Sequence, residues 1–137
     1  MKEEKCAHSD EAKAQADEWS NKLIGAAIEV HRHLGPGLLE GAYEECLCRE
    51  LDLRGIPYLR QHYLNIEYKG VVVENAYKLN VFVADLVVVE LKSVAKLEPI
   101  HDAQLLTYLR LTNRWLGLLV NFNVPVLRDG IKRRVWR

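Results

Sequence analysis

Glu90 and Lys92 are the residues of this sequence whose types and spacing most directly suggest chemistry. In a strand, residues two apart project from the same face, so a carboxylate and an ammonium would leave the chain together. They follow Leu86-Val87-Val88-Val89, apolar at consecutive positions, as a strand covered on both faces requires. Charge at the end of such a strand is costly unless something compensates it. The compensation can be mutual, a Glu/Lys pair facing water. It can also be a divalent cation on the carboxylate and a phosphate or water oxygen on the amine, as phosphodiester hydrolysis requires. If Ala84, Asp85 and Leu86 form a three-residue hairpin loop, Asn80 stands opposite Glu90; a two-residue loop shifts the register by one. Asp85 has an odd offset from Glu90 and a turn position that turns it away, and Glu74 lies six residues before Asn80.

The elements that must position these groups follow from periodicity. Residues 1–18 are polar, with Glu3, Glu4, Asp10, Glu11, Asp17 and Glu18 outweighing Lys2, Lys5 and Lys13. They read as a mobile tail or loosely held helix ahead of a single domain over 19–137. Trp19, Leu23, Ala26, Ala27, Val30 and Leu34 recur at helical spacing until Gly35-Pro36-Gly37. A second helix runs from Leu38 to about Arg54, with Leu39, Tyr43, Cys46, Leu47 and Leu51 as its apolar stripe. The period then shortens to two: Tyr58 to Tyr68, a Lys69-Gly70 turn, and Val71 to Val83 with an interruption near Asn75. The strand into Glu90 comes next, then a helix from Pro99 to Leu111, a strand over Trp115 to Phe122, and a terminal strand or turn near Asp129-Gly130. The order α-α-β-β-β-α-β-β implies an α+β sandwich whose sheet mixes antiparallel and parallel pairs.

The composition agrees with one such domain. The chain has 137 residues, 49% of them apolar, and 19 Lys+Arg balance 19 Asp+Glu. That length buries a continuous core, which excludes disorder and a disulfide-stapled miniprotein. No apolar run is long enough to span a bilayer, and Met1 to Ser20 has no signal-like stretch, so a soluble cytoplasmic protein is expected. Cys6, Cys46 and Cys48 are odd in number and badly spaced for zinc, which favours reduced thiols. His31-Arg32-His33 fits a cation cluster at a helix C-terminus better than a ligand set.

Gly37-Leu38-Leu39-Glu40-Gly41-Ala42-Tyr43 matches GxxExxY. With Gly55-Ile56-Pro57, Tyr68-Lys69-Gly70, Glu90-Leu91-Lys92, the run His101 to Arg110 and Asn121-Phe122, the chain from about Asn21 to Trp136 resembles the GxxExxY family of the PD-(D/E)xK nuclease superfamily. The resemblance implies a restriction-endonuclease-like core and Mg²⁺- or Mn²⁺-dependent hydrolysis of nucleic acid, DNA foremost. It makes Glu40 the helical acid that binds metal or orients water, Glu90 the metal carboxylate, and Lys92 the amine that positions the nucleophile. Gln104 and Tyr108, one helical turn apart, correspond to a QxxxY feature that supports the site or contacts substrate. The superfamily's second strand acid falls at Asn80, whose amide oxygen can coordinate a cation but brings no charge. Reduced or absent cleavage is therefore expected, and the alternative is an inactive nucleic-acid-binding or interaction module. Lys132 to Arg137 form a basic stretch that could meet phosphate, His101 shares the face of Gln104 and Tyr108, and the apolar surface near Trp115 could serve a homodimer.

Overall fold

The computed structural model describes residues 8–137. The first helix, α1 (Asp10–Leu34), starts well before Trp19. Ser9 caps it by accepting the Ala12 N–H at 3.1 Å, and Asp10 and Glu11 occupy the first turn, where the helix dipole favours acids. Ala12 and Ala16 are buried, so small residues one turn apart extend the core-facing stripe into the stretch read as a mobile tail or loosely held helix. Residues 10–18 thus belong to the fold; the rest of that expectation, residues 1–7, lies outside the described residues.

Gly35 and Gly37 end α1 at φ +67° and +100°, where side chains other than hydrogen are disfavoured. The next helix, α2 (Glu40–Leu53), begins at Glu40 rather than Leu38. Its core stripe is Tyr43, Leu47 and Leu51; Leu39 and Cys46, expected on that stripe, are exposed. Then come β1 (Tyr58–Tyr68), β2 (Val71–Val83), β3 (Val87–Lys92), α3 (Pro99–Thr112), β4 (Leu116–Asn121), a 3₁₀ turn at Leu127–Gly130 and β5 (Ile131–Val135). Among the described residues the fold is therefore three α-helices and a five-stranded sheet in the expected order.

The strands lie in sequence order, and β3 and β4, joined through α3, are the parallel pair. One face carries α1 and α2, whose Leu23, Ala27, Tyr43, Leu47 and Leu51 pack on Val81, Val83, Val87 and Val89. The other carries α3, whose Leu105 and Leu109 meet Phe82, Val88 and Leu119. Burial on both sides explains why β3 reads as a continuous apolar run. Helix α3 lies so close that a β-carbon on Gly117 would stand 2.7 Å from Leu105 Cδ1.

The β1–β2 hairpin outruns the sheet. Its pairing continues to Tyr68↔Val71, with a register shift between Leu64 and Ile66 and a left-handed Asn75 across from it. The β2–β3 ladder covers only Val81↔Val89 to Val83↔Val87. The far part of the hairpin, with Tyr68 and Val71 to Val73, is exposed.

Candidate active site

The Val83↔Val87 pair closes a three-residue loop, Ala84-Asp85-Leu86, which puts Asn80 beside Glu90. Backbone pairing stops one step short of them, and side chains continue it. The Asn80 N–H donates to the Glu90 carboxylate at 3.3 Å, and the Leu91 N–H donates to the Asn80 amide oxygen at 2.9 Å. Both side chains are nearly sealed, Glu90 at 6% exposure and Asn80 at 9%.

Burial lifts the Glu90 carboxyl from its ordinary 4.5 to about 7. The Asn80 N–H, Lys92 and Lys78 favour its charged form, and the charge of Glu40 opposes it. Glu40, at the start of α2, thus lies within electrostatic reach of Glu90 on β3. Mutual neutralisation by Lys92 is not what the fold builds: among the described residues neither Glu90 nor Lys92 belongs to an ion pair. Lys92 and Lys78 are half-buried ammoniums without a partnered carboxylate. Lys78 went unmarked in the sequence, although its place two residues before Asn80 on an alternating strand was the available signal.

Glu40 is brought there by contacts that involve its own motif. The Tyr43 hydroxyl donates to the Gly35 carbonyl at 2.5 Å and accepts the Leu38 N–H at 3.2 Å, folding the Gly-Pro-Gly link against α2. The Tyr43 ring stacks on Phe122 just past β4, 4.5 Å between centroids and 8° apart in plane. Beyond β3, the Ser93 hydroxyl donates to the Leu38 carbonyl at 2.5 Å. Buried Asn121 holds the segment after it through both the N–H and C=O of Val94. The start of α2 is thereby fastened to the exit of β3, and Glu40 sits half-buried in the first turn.

Helix α3 supplies Tyr108, half-buried and stacked on Tyr77 at 5.1 Å and 13°. Burial, then the charge of Glu90, raises the Tyr108 phenol, which puts it within electrostatic reach of Glu90. Gln104 is exposed and makes no hydrogen bond among the described residues, so no contact ties it to the group. His101 accepts the Glu98 N–H through Nδ1 at 3.0 Å and caps α3.

Other sequence signals are absorbed structurally. Cys48 is buried, with its thiol pushed up to about 11 chiefly by burial, and Cys46 is exposed; both are free. His31 is buried with Nε2 2.8 Å from the Val124 carbonyl, which takes it out of the C-terminal cation cluster, while Arg32 and His33 meet Glu29. Asp85 pairs with Arg114, and Glu74 is exposed on the far hairpin. In the basic terminal stretch, Arg133 pairs with Asp17 at 2.6 Å and Arg134 with Asp102 at 2.5 Å. Trp115 packs on the core with Lys13 and Arg133 over its ring.

Among the described residues no three His, Cys, Asp or Glu side chains converge as a metal cage. The available donors are the Glu40 and Glu90 carboxylates and the Asn80 amide oxygen, already accepting one hydrogen bond. Mg²⁺ is commonly held by one or two carboxylates together with substrate oxygens, so this donor set fits at its lower limit. The repulsion between the two acids is the kind of charge conflict a dication relieves.

A five-stranded mixed sheet between helical layers, in the element order α-α-β-β-β-α-β-β, is consistent with a restriction-endonuclease-like fold. A family model described as the PD-(D/E)XK nuclease superfamily matches residues 17–134, and the chain belongs to that superfamily. No curated protein and no solved structure gives a significant match. Among the described residues no helix is long and apolar enough to cross a membrane.

Proposed function

We propose that this domain is a GxxExxY-type nuclease that hydrolyses DNA phosphodiester bonds with Mg²⁺ or Mn²⁺, slowly because Asn80 stands where a third carboxylate is expected. The observation that carries the reading is a buried Glu90 carboxylate bonded to Asn80 at the end of β3, whose exit the Ser93–Leu38 bond fastens to the start of the helix bearing Glu40. Glu40 and Glu90 would hold the cation, with Asn80 adding a neutral oxygen. A bound dication supplies Lewis-acid polarisation of the phosphate and activation of water. Lys92, in no ion pair among the described residues, offsets charge developing on the phosphate, and Lys78 adds to that positive field. Tyr108 borders the site from α3, and Gln104, one turn away and exposed, is free to meet substrate.

The test is cleavage of DNA and of RNA by the purified chain with Mn²⁺, compared with Glu90→Ala and Asn80→Asp. The reading expects slow, metal-dependent DNA cleavage that Glu90→Ala abolishes and Asn80→Asp accelerates. No cleavage by either the native chain or Asn80→Asp refutes it.

Asn80 also favours a second reading, a non-catalytic module that binds nucleic acid, since its amide oxygen is engaged by Leu91. That reading expects metal-independent binding with a steep salt dependence and is refuted by salt-insensitive binding. The ion pairs of Arg133 and Arg134 leave it less free positive charge than the sequence suggests. A homodimer through the face near Trp115 is likewise opposed by the cations over that ring, and light scattering decides it.

A further inference from the structure

Glu44 is a buried carboxylate that the proposed chemistry does not use. It lies one turn beyond Glu40 on α2, 2% exposed. Its Oε2 accepts from Arg60 Nε at 2.9 Å and Gln61 Nε2 at 2.8 Å, both on β1. Gln61 has φ +50° in the middle of a strand. The other left-handed non-glycine residues lie in turns, at the C-cap of α3, or at the register shift near Asn75. A left-handed backbone is disfavoured for a residue with a β-carbon and persists mid-strand only where its surroundings enforce it.

The position of this bend is informative. The β1–β2 ladder runs through Arg60↔Val81 and His62↔Leu79, skipping Gln61 and Asn80 between them. On the other side of β2, the ladder to β3 ends at Val81↔Val89, next to the same Asn80. The β1–β2 ladder thus skips one pair, without a register shift, at the level where the β2–β3 ladder ends. There the Asn80 and Glu90 side chains, in place of backbone carbonyls, accept the bonds donated by the Leu91 and Asn80 N–H groups. The inward order of the strand also fails at this level, since Leu79 and Phe82, three residues apart, pack in the same cluster.

We propose that Glu44, Arg60 and Gln61 form a positioning brace, which holds β1–β2 bent at Asn80 and ties that bend to the helix bearing Glu40. The brace fixes two of the three segments of the site relative to each other: α2 through Glu44, and β2 through the bend opposite Asn80. Its charge keeps it directional, because a buried carboxylate accepts from Arg60 and Gln61 in one geometry and is costly to leave unpaired. These are positioning residues, acting through Asn80 and Glu40 without touching substrate. The inference rests on the nuclease reading only for its catalytic consequence.

The experiment compares Gln61→Gly, which accepts φ +50° freely, with Gln61→Val, whose branched β-carbon resists it. Hydrogen exchange at the Leu91 amide, which the Asn80 side chain holds, reports the bend without reference to cleavage. Gln61→Gly is expected to keep that amide protected, because Arg60 still holds Glu44. Gln61→Val is expected to lose the protection and, in a chain that cleaves DNA, to lower kcat roughly tenfold to a hundredfold with KM little changed. If Gln61→Val does not fold, Gln61→Ala supplies the same contrast in milder form. Equal protection of Leu91 in the glycine and the branched or alanine variants overturns the brace. An inactive native chain with the contrast intact counts against the nuclease reading alone.

Discussion

The sealed Glu90 carboxyl makes the stability of the metal-free protein depend on pH in a direction opposite to that of most carboxylates. Its folded value of about 7 against an ordinary 4.5 means the fold prefers the protonated form. The stabilisation from this group is complete below pH 4.5, shrinks as pH rises, and is gone above about 7. A shift of this size corresponds to about 3 kcal/mol, a large fraction of a small domain's stability. Glu90→Gln keeps the shape and removes the ionisation. Urea denaturation in the presence of a chelator, at pH 5 and pH 8, should give a stability of the variant relative to the native chain that rises by about 2.5 kcal/mol over that interval, since at pH 5 part of the effect is already lost. Adding Mn²⁺ at pH 8 should narrow the gap by stabilising only the native chain. A gap that is the same at both pH values refutes the reasoning, since burial of an ionising carboxyl is its whole basis.

Three further outcomes follow from the packing. Tyr43→Phe strips two hydrogen bonds from the Gly-Pro-Gly link, one at 2.5 Å, and should cost about 1–3 kcal/mol by thermal denaturation while keeping the stacking on Phe122. Gly117→Ala drives a methyl to within 2.7 Å of Leu105 and should destabilise by about 1–3 kcal/mol, again by denaturation. Replacing Arg133 and Arg134 together by Gln should change stability by roughly 1 kcal/mol or less per ion pair, as both pairs are partly exposed, and should leave the salt slope of any DNA binding almost unaltered. A drop in that slope by about two would show that these arginines reach phosphate despite their partners.

Elements whose order depends on local pattern were readable in the sequence. The uninterrupted apolar run of β3, the period of two in β1 and β2, and the Gly-Pro-Gly stop each have one structural solution, and the three-residue loop then sets Asn80 against Glu90. The start of α1 was not readable, because Ala12 and Ala16 bury little apolar surface and their value comes from close approach to a core that periodicity does not display. Leu39 and Cys46 failed for the converse reason: both are apolar and near the right spacing, but the helix begins at Glu40 and turns them outward. The Glu44 brace was invisible because it depends on partners distant in sequence, Arg60 and the left-handed Gln61, whereas Lys78 carried a local signal, its place two residues before Asn80, that was passed over. The basic terminus misled because charge composition does not reveal that Asp17 and Asp102 are waiting for its arginines.

The bond from Ser93 to Leu38 joins residues 55 apart in the chain. Closing so long a loop carries an entropic cost, whereas the hairpins and helices form from near neighbours. Glu40 and Glu90 stand 50 residues apart, on elements brought together only by such long-range contacts. The electrostatic opposition of the two acids is thus a property of the assembled tertiary structure, present in neither α2 nor β3 alone.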